Sequence, residues 1–528
     1  MELAIGQYDA PLEQKQPIFY LDPYRSNIAV FGAPMSGKTT FIKTLLVRLH
    51  DNMNQLPGEN IYLIDFGGNI GTYGKLRNVC ACFDKSNEEN IKRIFRTIEE
   101  RLSENAKQLN SQSYYSVATK SPEKAPVHMF LIIENINAFL GDERYTFYQD
   151  QLIQFCRDGL SRGLTVVITA NETAGIRRLL PSFGQKIAFE MPSDSYFDIF
   201  NSRVANPMKV PGRGVANIGS GIYEFQCFLP FPVRNDESSI EELVRKTETY
   251  PNEHIMVAFS EDLTRENLDS YCGAGYSTAC SENEIIVGLD YYKHKPITVN
   301  IHENRSIAIY GKRKFGKTNL LSILLDGIKN MRPDARCIFF DDGREQLKPF
   351  CEKKVWATQE LVYYTDANKF QKYLADNGYI SIKLDGCIKP TEIRETPFTV
   401  FVMQSRMLFR GTQGAGPSLM KNHFPLMIAN SEARDFLFIF TDVPRISEVD
   451  IRAALTDNIS LAFLLDNIGD FIADKGDKTA FGTMDAQTLK REYAKCSIGD
   501  GYIYNVDADK LQKLKFIKED LKEFACDE

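Results

Sequence analysis

A chain of 528 residues is too long for one ordinary core and fits about two to four units. Its apolar and charged fractions, 43% and 25%, lie near globular averages, which excludes a disordered or fibrous class. A formal charge of -7 argues against general affinity for nucleic acid, leaving only a local basic lining inside a ring or cleft.

No uninterrupted apolar run approaches the roughly 18 residues that span a bilayer. The longest, MFLIIENINAFL at 129–140, is broken by Glu134, Asn135 and Asn137 and reads as core strand. Met1 is followed by ELAIGQYDAPLEQ, without a basic start, apolar stretch or cleavage site, so an intracellular chain is expected. The eleven cysteines are scattered, many in apolar segments such as ARCIFF and EFQCFL. Only Cys80 and Cys82 are closely spaced, so buried reduced thiols are expected rather than a metal site.

In chain order, three short apolar segments (IGQYD at 5–9, PIFYLD at 17–22, SNIAVFG at 26–32) lead into the loop GAPMSGKTT at 32–40. The helical pattern TTFIKTLLVRLH follows, then an apolar strand ending in Asp65, which together make a βαβ unit. A helix and then an exposed loop are expected over 103–126. The strands HMFLIIEN and GLTVVITANE come next, and VPGRGVAN at 210–217. From about Pro232 to Ser281 the composition suits a connector with one or two helices.

The series then repeats. VGLDY at 287–291, PITVNI at 296–301 and RSIAIYG at 305–311 precede the loop GKRKFGKTN at 311–319, the helical TNLLSILLDGIK and a strand ending in Asp341. TVFVMQS, DFLFIFTDVP and SIGDGYIYN complete it. The sequence therefore predicts an α/β chain of two tandem P-loop NTPase (RecA-like) domains with mostly parallel sheets flanked by helices. They cover 1–240 and 282–528, with a connector at 241–281.

In the first loop, Gly32 and Gly37 permit a turn tight enough for successive backbone N–H groups to face phosphate oxygens, so Gly32, Ala33, Pro34, Met35, Ser36 and Gly37 form the expected ATP-binding segment. The following helix adds its N-terminal partial charge. Lys38 would bridge the β- and γ-phosphates, Thr39 would ligate magnesium, and Thr40 continues the helix. The second loop meets the same template with Gly311, Gly316, Lys317, Thr318 and Asn319. Lys312, Arg313, Lys314 and Phe315 fill the intervening positions, the three basic side chains read as solvated. ATP and Mg2+ are the cofactors implied.

Hydrolysis also needs a carboxylate at the end of a second apolar strand and a neighbouring base. Here Glu134 occupies the magnesium position and Asn135 the position of the base, and an amide takes no proton at neutral pH but can orient a water. One residue earlier in register, Glu134 is the base and Ile133 stands where the acid should be; the site is incomplete either way. In the second half the pair is Gln404 and Ser405, with no carboxylate, so hydrolysis is expected to be weak at the first site and absent at the second. DFGG at 65–68 matches a kinase triplet, but no kinase catalytic loop accompanies it. The six histidines include no HxH or HExxH spacing.

The blocks GAPMSGKTT, LIDFGG, LIIEN, GLSRGLTVVITANE, SFGQKIAFEM, PGRGVAN and EFQCFLPF, in that order, resemble the FtsK/SpoIIIE-type motor ATPases. IGQYDAPLEQKQ before the first loop, and VGLDY with GKTNLL around the second, resemble the second and third ATPase domains of EssC/EccC, the membrane-anchored ATPase of type VII secretion. The resemblance covers nearly the whole chain. It implies a C-terminal module at the cytoplasmic face of the cell membrane, working with an upstream motor ATPase domain, a membrane secretion complex and a ring oligomer. It further implies degenerate ATP sites and recognition of small helical WXG-type substrates by their C-terminal signals. Arg162 in LSRGL stands where ring ATPases present an arginine to a neighbour, and equally suits a surface helix end. Asp500 replaces Arg213 in the second half, which puts an arginine function in doubt there. The rival readings are an ATP-driven DNA translocase and a peptide-binding scaffold with a vestigial second nucleotide site.

Overall fold

The computed structural model describes residues 2–52, 58–146, 148–219, 221–232, 236–247, 256, 259, 262–272, 284–352, 362–380, 397–404, 408, 419–441, 458–466 and 496–519. The chain divides into two compact units, Met1–Ala258 and Phe259–Glu528. Ser405 and much of the expected connector lie outside the described residues.

In the first unit, β1 (Leu3–Tyr8), β2 (Ile18–Leu21) and β3 (Ile28–Phe31) precede the first loop and helix α1 (Lys38–Asp51). Then come β4 (Glu59–Asp65), β5 (Val79–Asp84), β6 (His128–Glu134), β7 (Leu164–Ala170) and β8 (Gln185–Ala188). The hairpin β9 (Arg213–Ile218) and β10 (Gly221–Cys227) closes the unit. The sheet order is β2-β1-β10-β9-β8-β3-β7-β6-β4-β5. Strands β8, β3, β7, β6, β4 and β5 are parallel, whereas β9, β10, β1 and β2 add an antiparallel wing. Every residue of β3, β4, β6 and β7 is buried, which is why these strands read as continuous apolar runs: helices cover both faces.

The second unit repeats this arrangement. Its strands are β11 (Glu284–Asp290), β12 (Pro296–Asn300), β13 (Ser306–Tyr310), β14 (Arg336–Phe340) and β15 (Val362–Tyr364). They continue with β16 (Thr399–Gln404), β17 (Phe436–Thr441), β18 (Leu461–Leu464), β19 (Asp500–Asn505) and β20 (Lys510–Phe516). The order β12-β11-β20-β19-β18-β13-β17-β16-β14-β15 is that of the first sheet, strand for strand. Even an irregularity recurs. β1 bulges between Ala4 and Gly6, and β11 between Ile286 and Gly288. A Cβ on Gly6 would lie 2.3 Å from the Gln226 carbonyl oxygen, and one on Gly288 2.1 Å from that of Lys515, so both bulges demand glycine.

Two local expectations change. The segment expected as loop after the helix Glu88–Leu109 holds another helix, Tyr114–Lys120, capped by the Ser113 hydroxyl accepting from the Ser116 N–H. Its Tyr114 ring is buried against His128, 4.8 Å between centroids, and that burial anchors the helix. The helix Asp236–Lys246 runs across residue 240 and buries Ile240 in the first unit's core, because its apolar face packs there.

Candidate functional site

The first loop leaves β3 at the carboxyl ends of the parallel strands, where an open α/β sheet presents its binding crevice. The Gly32 N–H donates to the Ala170 carbonyl (3.2 Å) and the Ala33 N–H to that of Glu190 (2.7 Å), pinning the loop's start to its neighbouring strands. Gly37 has φ 120°. A Cβ there would come 2.7 Å from the Gly212 nitrogen, and the Gly212 N–H donates to the Ser36 carbonyl (2.9 Å). The turn before β9 thus closes onto the loop, and only glycine fits at the contact. Met35 sits at the tip with φ 64° and 95% exposure.

Lys38 opens α1 and folds back, its Nζ donating to the Gly32 carbonyl (2.6 Å) and the Ala33 carbonyl (2.9 Å). Burial lowers its pKa, opposed by the nearby Glu134. The helix N-terminus carries no side-chain cap, and the buried Ser36 Oγ has no hydrogen-bond partner among the described residues. Free donors at a loop of this shape fit a phosphate group. Thr39 Oγ1 donates to Glu134 Oε1 (3.0 Å), so a hydroxyl and a carboxylate converge where magnesium would sit. Burial pushes Glu134 upward, and the neighbouring Asp65 adds to this. A cavity of about 690 Å³, lined by Lys38, Thr39 and Thr40 among others, opens in front of the loop.

Asn135 takes a left-handed conformation, φ 62°, and its Oδ1 accepts from the Ala138 N–H (3.3 Å), capping the short helix Ile136–Gly141. Its own N–H donates to Thr169 Oγ1 (2.8 Å). Arg162 ends a 3-10 turn just before β7 begins, at the opposite end of the parallel strands from Lys38, and its carbonyl accepts from Asn105 Nδ2 (2.8 Å).

The DFGG stretch serves the fold. Asp65 Oδ1 accepts from the N–H groups of Gly67 (3.2 Å), Gly68 (2.7 Å) and Asn69 (3.3 Å), and Oδ2 from that of Ile70 (3.0 Å). A Cβ on Gly67 would lie 1.6 Å from Glu134 Oε2, so this glycine makes room for the carboxylate. Asp341 repeats the role, accepting from the N–H groups of Gly343, Glu345 and Leu347.

At the second loop, Lys317 Nζ donates to the Gly311 carbonyl (2.8 Å), and Gly316 has φ 93°. Register along β14 and β16 sets Gln404 where Glu134 stands on β6. Its Oε1 accepts from the Asp342 N–H (3.1 Å) and its Nε2 donates to Gln346 Oε1 (3.0 Å), so the side chain is tied into the adjacent loop. Lys312 pairs with Asp466 at 3.2 Å, Phe315 packs on the core, and Asn319 bonds the Ile517 carbonyl (2.7 Å) and the Glu519 N–H (2.9 Å). Arg213 pairs with Asp9 and with Glu224 (2.8 Å), whereas Asp500 pairs with Lys515 (3.0 Å).

Nothing in the spacing of PGRG around Gly212 links it to the first loop, although the segment recurs with GDG at 499–501 in the second half. Among the described residues no helix is long and apolar enough to cross a membrane, and no cluster of His, Cys, Asp and Glu could hold a metal ion.

No family model matches this chain. The ESX secretion protein EccC of Geobacillus thermodenitrificans is 25% identical over 342 residues, covering 63% of this chain and 23% of that protein. EccC of Thermomonospora curvata is 24% identical over 374 residues, 66% of this chain and 27% of its own length. The chain thus spans about a quarter of these relatives. Among solved structures, EssC ATPases 2 and 3 from G. thermodenitrificans superpose with a TM-score of 0.69 at 20% identity, covering 98% of this chain and 96% of that one. T. curvata EccC ATPases 2 and 3, in complex with a signal sequence peptide, give 0.63 at 18% identity, covering 98% and 93%. The chain therefore carries the tandem P-loop fold of ATPases 2 and 3, and its relatives are the EccC/EssC ATPases of type VII secretion.

Proposed function

We propose that this chain is the nucleotide-binding C-terminal module of a type VII secretion motor. It binds ATP with magnesium at the first loop and turns it over weakly or not at all, and it holds nucleotide without hydrolysis at the second. It regulates or recognises small helical WXG-type substrates through their C-terminal signals. Residues 1–240 and 282–528 are then its two ATPase domains, placed at the cytoplasmic face of the membrane beside an upstream motor domain.

The observation that carries this reading is the division of labour at the end of β6. Glu134 Oε1 accepts from Thr39 while its Oε2 is buried without a hydrogen-bond partner among the described residues, and Asn135 spends its side-chain oxygen on a helix cap. A water attacking a γ-phosphate needs a carboxylate within hydrogen-bond reach, and the position after Glu134 offers an amide instead. Lys38 and the loop N–H groups would hold the phosphates, with Thr39 and Glu134 as the magnesium donors; magnesium held there would supply charge neutralisation. At the second loop, the neutral Gln404 leaves a cradle without that carboxylate. A nucleotide that stays bound stabilises its domain by mass action and can orient a neighbour. The signal peptide bound to T. curvata EccC supports the substrate role by likeness.

The test is the nucleotide content of the purified chain, identified by chromatography, with single-turnover hydrolysis in magnesium. Retained ATP that persists for hours is expected; brisk turnover overturns the reading. For substrate recognition, a labelled C-terminal peptide of a WXG-type protein should bind with saturable anisotropy, and its failure to bind removes that half of the proposal.

A further inference from the structure

Besides Lys38 and Thr39, the cavity before the first loop is lined by Gln226, Leu229, Pro230 and Phe231. Its volume, about 690 Å³, lies in the range of small-molecule sites and leaves room beyond a triphosphate. Gln226 belongs to β10, and the Cys227 N–H donates to the Gly212 carbonyl (2.9 Å), while Gly212 in turn bonds Ser36 of the loop. The backbone carrying Gln226 is therefore held at a set position relative to the phosphate cradle.

We infer that Gln226 reads the nucleobase and selects adenine over a 6-oxopurine. This rests on the ATP-binding reading above. The Gln226 Nε2 donates to the Pro211 carbonyl (3.4 Å), which assigns the amide its orientation, and among the described residues Oε1 has no hydrogen-bond partner. Gln226 lines the cavity, and an acceptor there would match the N6 amino group of adenine, a donor, and oppose the O6 carbonyl of hypoxanthine or guanine, an acceptor. Leu229 and Pro230 supply apolar surface for the faces of the base, and Phe231, whose ring lies 6.5 Å from that of Tyr73, backs them. In the second unit the same register position is Lys515, a side chain that only donates and is held by Asp500 at 3.0 Å. At this register position the second unit thus has a donor in place of the acceptor.

The experiment compares ATP with ITP, which differ only in the groups around C6, by equilibrium dialysis on the full chain. A Lys317→Ala background confines binding to the first loop. Expected is a preference for ATP of about tenfold or more, the discrimination of a good amide–adenine contact. Gln226→Leu should bring ATP down to the ITP level and leave ITP unchanged, with an unaltered melting profile. Equal binding of ATP and ITP to the parent chain overturns the inference, as does a Gln226→Leu variant that weakens both alike, which would mark the residue as structural. Gln226→Asn, which shortens the reach and keeps the chemistry, should retain part of the preference; full loss of both triphosphates there overturns it too. If the parent binds neither triphosphate, the ATP-binding reading itself falls, an outcome separate from lost discrimination.

Discussion

The two units share one sheet order, one bulge with its obligatory glycine, one aspartate that ties down the loop after its strand and a loop lysine folded onto the first glycine's carbonyl, yet they differ at the positions of Glu134, Gly212, Arg213 and Gln226 around that loop. In the first, Glu134 faces Thr39; in the second, Gln404 is bound to Asp342 and Gln346. In the first, Gly212 closes on Gly37; in the second, a Cβ on Gly316 would meet nothing within 4 Å. The Arg213 and Gln226 positions become Asp500 and Lys515, which form an ion pair. The lesson is that the scaffold's demands are steric and local, so they persist in both copies. The chemistry at the site is not required for folding, so it can differ between them.

The comparison breaks most sharply at the loop lysines. Lys38→Ala should weaken ATP binding at the first loop about 100-fold, the scale of losing a charge-assisted phosphate contact at a buried site. Lys317→Ala should remove a second bound nucleotide; equilibrium dialysis counts both. An unchanged stoichiometry with Lys317→Ala would make the second loop vestigial and the units functionally unequal in kind.

Next come the loop glycines. Gly37→Ala meets Gly212 backbone atoms at 2.7 and 2.8 Å and adopts a positive φ, costing about 3 kcal/mol or more. Gly316→Ala suffers only its φ of 93°, about 1–2 kcal/mol. Denaturant unfolding of each unit's transition should show the difference, and equal losses would mean that the closure by Gly212 contributes nothing.

A third contrast lies at the far ends of the strands. Burial pushes Glu59 up from 4.5 to about 8, and burial pushes His128 down from 6.5 to about 3. The folded state favours protonated Glu59, so its stabilising contribution is complete below about pH 4.5 and is lost as pH rises to about 8. Neutral His128 works in the opposite direction, costing stability as pH falls from 6.5 towards 3. The first unit should therefore be most stable near the overlap, and Glu59→Gln should flatten the alkaline slope of its melting temperature by about 5 °C. The register equivalents in the second unit are the buried apolar Ala335 and Phe398, so its melting should lack this dependence. A Glu59→Gln slope identical to that of the parent would refute the assignment.

The smallest effect is expected at Gln404. Gln404→Leu leaves the Asp342 N–H and Gln346 without their partner and should cost about 1–2 kcal/mol in the second unit's unfolding, with nucleotide content unchanged. Glu134→Gln, in contrast, should reduce the magnesium dependence of ATP binding, because the neutral amide is a poorer ligand.

Much of this was legible in the residues themselves. Strands buried on both faces must be apolar throughout, so SNIAVF, IYLID and FLIIE announced a parallel sheet, and GxxxxGK[ST] between strand and helix located both loops. The repeat was likewise readable because it is a matter of residue type at fixed local spacing. Only the tertiary structure decided which groups meet. Whether Asn135 faces a water or a helix terminus depends on its left-handed backbone, which residue type permits without requiring. That Gly212 and Gln226, nearly two hundred residues from Lys38 in sequence, complete its site follows from β10 pairing with β1 and β9 across the sheet. Spacing along a chain carries no information about such neighbours; hydrogen-bonded register does, and register exists only once the sheet has closed.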